Sequence, residues 1–232
     1  MRRFVDQADK VDENVKNISC RRFPLGGLWT NGYLFFDGAA DSDDGAAFFI
    51  DPGGDVREVL EYVQQRRLSL KAVLLTHGHL DHLSGIEALV PLVGEDIYIA
   101  QKDAALLKHP PEEVQRALNM KCGGVETFKT VSDGDLLSIA GFDVKVLATP
   151  GHTRGSVCYL IHGGQKDILV SGDTLFAQSV GRTDLPGGDG RMLMASLRKL
   201  AAFPDDLPVL PGHGPDTTIG QERKNNPFWP RG

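Results

Sequence analysis

The sequence predicts an α/β fold in which two sheets pack together and helices cover them from outside. Three observations predict it. Strand-like and helix-like patterns alternate early in the chain, strand-like runs crowd its middle, and several strands end on Gly-flanked turns with polar tips. Alternation implies a βαβ unit, and clustered strands imply hairpins in a second sheet.

In chain order, residues 1 to about 20 are polar and aperiodic and are expected to be loosely ordered, with 21–232 forming a single domain. Gly32–Phe36, Ala46–Ile50 and the nearly continuous apolar run Leu70–Thr76 read as strands. Between the last two, Asp55 can cap a helix whose Val56, Val59, Leu60 and Val63 share one face. Ser84 followed by Glu87 reads as a capping box that opens a helix through Val90. Asp96–Ala100 is a further strand, and Pro111 opens a short helix with Val114, Ala117 and Leu118 on one side. Val125–Ile161 is strand-rich, punctuated by turns at Asp133-Gly134-Asp135 and Ala140-Gly141. Asp167–Ser171 is another strand, Leu193, Leu197, Leu200 and Ala201 mark a late amphipathic helix, and Val209-Leu210 a last short strand.

A chain of 232 residues with 41% hydrophobic and 24% charged residues has the composition of an ordinary globular protein. No apolar run approaches the ~20 residues a membrane span needs. The basic start Met1-Arg2-Arg3-Phe4 runs into Asp6, Asp9, Asp12 and Glu13, the pattern of neither a secretory signal nor a transit peptide. Cys20, Cys122 and Cys158 are odd in number and widely spaced, which argues against disulfide stapling and for a cytoplasmic location. The net charge of −6 argues against nucleic acid or an anionic membrane as partner.

The chemistry concentrates in Thr76-His77-Gly78-His79-Leu80-Asp81-His82. An isolated His-x-His is most often solvated surface; three His and an Asp within six residues, at a strand-to-helix junction, are the composition of a zinc, iron or manganese site. In extended chain, His77 and His79 face the same way and can grip one cation. Once the chain turns helical, Asp81 and His82 point elsewhere and can reach a second. Three more strand ends carry His152 (Pro150-Gly151-His152), Asp173 (Gly172-Asp173-Thr174) and His213 (Gly212-His213-Gly214). Together they supply one more His per metal and a carboxylate with two oxygens to bridge both.

The His-x-His-x-Asp-His segment followed in order by His152, Asp173 and His213 resembles the metallo-β-lactamase superfamily, over about Leu25 to Phe228. The resemblance implies a four-layer αββα sandwich of two mixed sheets with outer helices, its site at the sheet edges. It assigns His77, His79 and His152 to one metal, Asp81, His82 and His213 to the other, and Asp173 to both. Ile50-Asp51-Pro52-Gly53 matches a strand-end turn of the family, where Asp51 is expected to support the ligands rather than bind metal. Two divalent ions, zinc first with iron and manganese as alternatives, can hold a bridging hydroxide and polarise a carbonyl. The resemblance gives Asp81 the further role of orienting or deprotonating the attacking water.

Val180-Gly181-Arg182-Thr183-Asp184 and the late Thr217-to-Arg223 and Asn226-Pro227-Phe228 segments resemble the short glyoxalase II-like (hydroxyacylglutathione hydrolase-like) enzymes and the related persulfide dioxygenases. Arg182 there either pairs with Asp184 within a turn or shapes the substrate site. No separate general acid is evident, which favours a leaving group such as a thiolate. The expected function is therefore metal-dependent hydrolysis of S-lactoylglutathione-like thioesters. Full-length glyoxalase II enzymes grip glutathione with a C-terminal helical extension, and the stretch after His213 is too short for one. Asp173 argues against antibiotic hydrolysis, because typical β-lactamases of this fold carry Cys or no bridging carboxylate at its position. A mononuclear iron persulfide dioxygenase using His77, His152 and Asp173 is one alternative, and a catalytically silent metal- or partner-binding module another.

Overall fold

The computed structural model describes residues 18–38, 45–163 and 166–231. Most of the segment expected to be loosely ordered, residues 1–17, lies outside the described residues, and residues 18–20 open the first strand. One sheet runs in sequence order: β1 (Ile18–Leu25), β2 (Thr30–Asp37), β3 (Ala46–Ile50), β4 (Ser69–Leu74), β5 (Ile97–Ala100) and β6 (Lys129–Val131). Its first three strands pair antiparallel and β3 to β6 run parallel. Helix α1 (Arg57–Gln65) makes the crossover from β3 to β4, so the βαβ unit forms as its pattern predicts. Asp55 does not cap α1 as expected: the N-cap is Val56, which has no side-chain cap, and Asp55, one position earlier, accepts from Arg57 N at 3.0 Å.

The second sheet has the order β14-β13-β10-β9-β8-β7, built from β7 (Leu136–Ile139), β8 (Phe142–Ala148), β9 (Val157–Gly163), β10 (Lys166–Gly172), β13 (Pro208–Pro211) and β14 (Thr217–Thr218). A hairpin of β11 (Leu175–Phe176) and β12 (Ser179–Val180) lies between the last two long strands. β10 and β13 are parallel and the other neighbours antiparallel. Both sheets are mixed, as the αββα architecture requires.

Burial separates the layers. All but the last residue of β2 are buried, because Tyr33 and Phe35 face the opposite sheet while Leu34 and Phe36 face the helix α1. Val144, Val146, Tyr159 and Val170 meet them from the second sheet. Leu193, Leu197 and Leu200 of α6 (Gly190–Leu200) cover that sheet's far side over Leu169 and Val209. Buried hydrogen bonds stitch the sheets where the core thins toward the site. Tyr33 Oη donates to Pro211 O at 2.8 Å, Tyr159 Oη to Leu75 O at 2.8 Å, and Asn31 Nδ2 to Pro211 O and Gly214 O at 2.9 Å each.

The capping box at Ser84 and Glu87 does not form. Helix α2 (Leu80–Leu83) gives way to a 3₁₀ turn at Ile86–Ala88 and then α3 (Val90–Val93). Leu80, Leu83, Ile86 and Leu89 are all buried, and their three-residue spacing suits tight turns better than one continuous α-helix. Glu87 instead accepts from Gly123 N. Helices α4 (Ala104–Lys108) and α5 (Glu112–Leu118) follow β5, and α7 (Ile219–Asn225) closes the described chain. No helix among the described residues is long and apolar enough to cross a membrane.

Candidate metal centre

The strand ends deliver the predicted residues to one place. β3 and β4 run parallel, so Asp51 and the Thr76–His82 segment leave the sheet at the same edge. β10 and β13 do the same for Asp173 and His213, with Gly212 N donating to Gly172 O at 2.9 Å. A Cβ on Gly212 would collide with Asp173 Oδ1 and His82, so only glycine lets these strand ends meet at the centre. Val157 N donates to Thr76 O at 2.8 Å, joining the β8–β9 hairpin, and with it His152, to the first sheet.

Three groups of potential ligand atoms lie within 4.8 Å of one another: His77, His79 and His152; Asp81, His82 and His213; and His77, His82 and Asp173. The first two are the trios that the resemblance implies for the two metals. Asp173 stands between them, with Oδ1 3.2 Å from His82 Nε2 and Oδ2 3.4 Å from His152 Nε2 and 3.7 Å from His213 Nε2.

The outer nitrogens of four of these imidazoles, those of His77, His82, His152 and His213, are occupied. His152 Nδ1 donates to Arg182 O at 2.7 Å and His213 Nδ1 to Leu28 O at 3.1 Å. Carbonyls only accept, so Nδ1 carries the proton in both rings and Nε2 presents a lone pair to the centre. His82 Nδ1 bonds Asp51 Oδ2 at 2.9 Å. Thr76 Oγ1 donates to Asp51 Oδ2 at 2.7 Å and takes His77 Nδ1 at 3.1 Å. Asp51, accepting also from Thr76 N at 2.8 Å, therefore orients His77 and His82 without facing the centre itself. His77 Nε2, His152 Nε2 and Asp173 Oδ1 are buried with no hydrogen-bond partner. Leaving such atoms unpaired costs about 1–3 kcal/mol each unless an ion is their partner. This donor set of imidazoles and carboxylates fits divalent metal.

The electrostatics agree. Burial, with the neighbouring imidazoles adding to it, pushes His77 well below its ordinary pKa and His79 down to about 4, so both rings stay neutral. Burial opposes the His82 imidazolium, but Asp173 and Asp51 outweigh it and hold its pKa well above the usual value. Burial likewise opposes the Asp81 carboxylate, yet the hydrogen bond from His213 and the adjacent imidazoles keep it below the usual carboxylate range. Two carboxylates that stay ionised when buried mark a site that attracts positive charge.

Above the centre opens a cavity of about 860 Å³. Arg182 lines it, while its guanidinium is held bidentately by Asp184 at 2.8 and 2.7 Å, the internal pair that the turn allows. Cys158 is a buried strand residue whose thiol burial pushes up to about 11, no candidate nucleophile. The sequence reading missed Asp103. It is buried and accepts from Gly78 N at 2.9 Å, Thr153 Oγ1 at 2.6 Å and Gly155 N at 2.8 Å. One carboxylate thus ties the loop of His77 and His79 to the loop of His152, across 25 and 50 residues of chain. No local motif signals it.

Known proteins with similar sequence and structure share this arrangement of chain. The family model of the metallo-beta-lactamase superfamily matches residues 31–213, from the second strand to the last His of the site. Hydroxyacylglutathione hydrolase GloC of Haemophilus influenzae is 38% identical over 192 residues, which cover 80% of this chain and 88% of that protein. The crystal structure of BLEG-1 B3 metallo-beta-lactamase is 35% identical, with a TM-score of 0.81 over 90% of this chain and 99% of that one. The structure of TTHA1623 in a di-iron-bound form is 34% identical, with a TM-score of 0.76 over 90% and 99%.

Proposed function

The chain belongs to the metallo-beta-lactamase superfamily, and from that premise we propose that it is a two-metal hydrolase of thioesters of the S-lactoylglutathione kind. The observation that carries this reading is the ring of imidazole and carboxylate donor atoms that converge, with Asp173 set between its two halves. His77, His79 and His152 would hold one ion, Asp81, His82 and His213 the other, and Asp173 both. When bound, such a pair lowers the pKa of water from ~15.7 to ~7 and polarises a carbonyl. Zinc suits the donors, and the di-iron-bound structure of a similar protein supports iron equally.

The chain's own groups then place the reactants. Asp81, anionic and 3.3 Å from His213 Nε2, is positioned to orient the attacking water and take its proton. Water adds to the carbonyl carbon, the C–S bond breaks, and a carboxylic acid and a thiol leave. Beyond the His and Asp cluster, the charged side chains lining the cavity among the described residues are Glu113 and Arg182, and Arg182 is bound to Asp184. Arg182 has no proton to give near neutral pH and Glu113 stands exposed on α5, so a thiolate, which leaves without a proton, suits the site. The 38% identity to a hydroxyacylglutathione hydrolase supports the same substrate class.

The test is metal analysis of protein purified without added metal, with turnover of S-lactoylglutathione, of glutathione persulfide plus oxygen, and of a β-lactam. Two ions per chain with thioester hydrolysis is the expected result. One iron per chain with oxygen uptake would replace this reading by the persulfide dioxygenase, and faster turnover of the β-lactam would replace it by lactam hydrolysis.

A further inference from the structure

The cavity above the metal centre is walled very unevenly. Its floor is the His and Asp cluster, whereas its sides are apolar, formed by Leu28, Leu106, Val114, Phe176, Leu185 and Pro186. Leu28 stands at the rim 46% exposed, a large apolar side chain left facing water. Helix α5 contributes Val114, Ala117 and Leu118 to the wall, and no residue of that helix is fully buried. The apolar face that marks α5 as amphipathic is therefore turned partly to the cavity rather than wholly to the core.

Charge in the wall is scarce: Glu113 is acidic, and Arg182 spends two of its five N–H groups on Asp184. Apolar walls reward apolar groups: each buried methylene is worth about fourfold in an equilibrium constant.

Resting on the thioester reading above, we propose that within that class the site favours the longer, apolar acyl chain, which the wall of the cavity would cover. The chain would lie along α5 and the Leu185-Pro186 corner, with the carbonyl at the floor.

Two measurements on the full chain test this. In the first, kcat/KM is compared for the acetyl and butanoyl thioesters of N-acetylcysteamine and for S-lactoylglutathione. The butanoyl compound should exceed the acetyl by roughly tenfold, since two buried methylenes set a ceiling near sixteenfold, while turnover of S-lactoylglutathione tests the proposed function itself. In Val114→Glu the butanoyl-to-acetyl ratio should fall toward one. The second measurement needs no turnover. Calorimetry on metal-free protein compares S-ethyl- and S-butyl-N-acetylcysteamine, thioethers that cannot be hydrolysed, with S-butylglutathione. Tighter binding of the butyl over the ethyl compound, with S-butylglutathione bound as well, supports the proposal. Binding indifferent to chain length overturns it whatever is hydrolysed. Apolar selectivity in binding with no thioester turned over leaves this proposal standing and overturns the proposed function instead.

Discussion

His79 and Asp51 act on the centre in different ways, and their variants should separate accordingly. His79 is partly exposed in the cavity and presents its ring beside His77 and His152, at centroid distances of 4.8 and 4.5 Å. His79→Ala should therefore leave a folded chain, by circular dichroism, with thioester turnover reduced by at least about a hundredfold, as expected when a metal site loses a direct ligand. Full activity in that variant would exclude the two-metal assignment. Asp51 touches no inward-facing nitrogen but fixes two of the rings that carry them. Its backbone sits at φ +56°, a conformation that Asn tolerates as well as Asp, so Asp51→Asn isolates the loss of charge from backbone strain. Metal affinity, measured by competition with a chromophoric chelator, should fall about 10- to 100-fold. At this scale the sequence was informative where residues cluster. Four of the seven proposed ligands fall within six positions, and each of the others ends a strand beside a glycine. Asp103 was invisible because its partners are brought to it only by tertiary structure.

At the level of elements, Asp103 clamps two loops that different sheets present. Asp103→Ala would strand the N–H groups of Gly78 and Gly155 and leave the hydroxyl of Thr153 with Ser156 Oγ alone. With about 1–3 kcal/mol for each buried donor left unsatisfied, the variant should lose at least about 2 kcal/mol of stability, read as a lower urea midpoint. Asp103→Asn, which keeps one accepting oxygen, should fall between. The strands buried on one or both faces were legible as apolar runs, among them Ala46–Ile50, which the structure reproduces residue for residue. β1 was not, because this edge strand alternates weakly and places Cys20, Arg21 and Arg22 in solvent. Helix α4 has five residues and α7 seven, too few turns for a 3.6-residue period to stand out. The failure at Ser84 has another origin. A capping box is a local signal, and the burial of Leu83, Ile86 and Leu89 overrode it.

For the molecule as a whole, the ligands divide between the sheets. His77, His79, Asp81 and His82 follow a strand of the first sheet, and His152, Asp173 and His213 follow strands of the second. Ions that bind only the folded arrangement stabilise it by mass action, about 2.7 kcal/mol at a hundredfold excess over Kd. The unfolding midpoint should therefore rise with added zinc or iron and fall on exhaustive chelation, both followed by calorimetry. A midpoint indifferent to chelation would show that the inward nitrogens are satisfied without metal. The layered class of the fold was readable from alternating and clustered patterns. The order of strands in each sheet was not, because a strand's neighbours are set by packing that no single segment encodes.

The turn at Ser132–Asp135 is the place where the chain passes from the first sheet to the second, with β6 on one side and β7 on the other. Every strand before it belongs to one six-stranded sheet, and every strand after it, the β11–β12 hairpin apart, to the other. A break in the peptide backbone at Asp133-Gly134 would thus yield two polypeptides, each carrying an incomplete coordination shell and one wall of the shared core. Their reassociation becomes a bimolecular event governed by the ion. Co-expressed as 1–133 and 134–232, the fragments should co-elute in gel filtration with metal and separate with chelator. The geometry that makes a catalyst in the intact chain makes a metal-gated heterodimer in the split one.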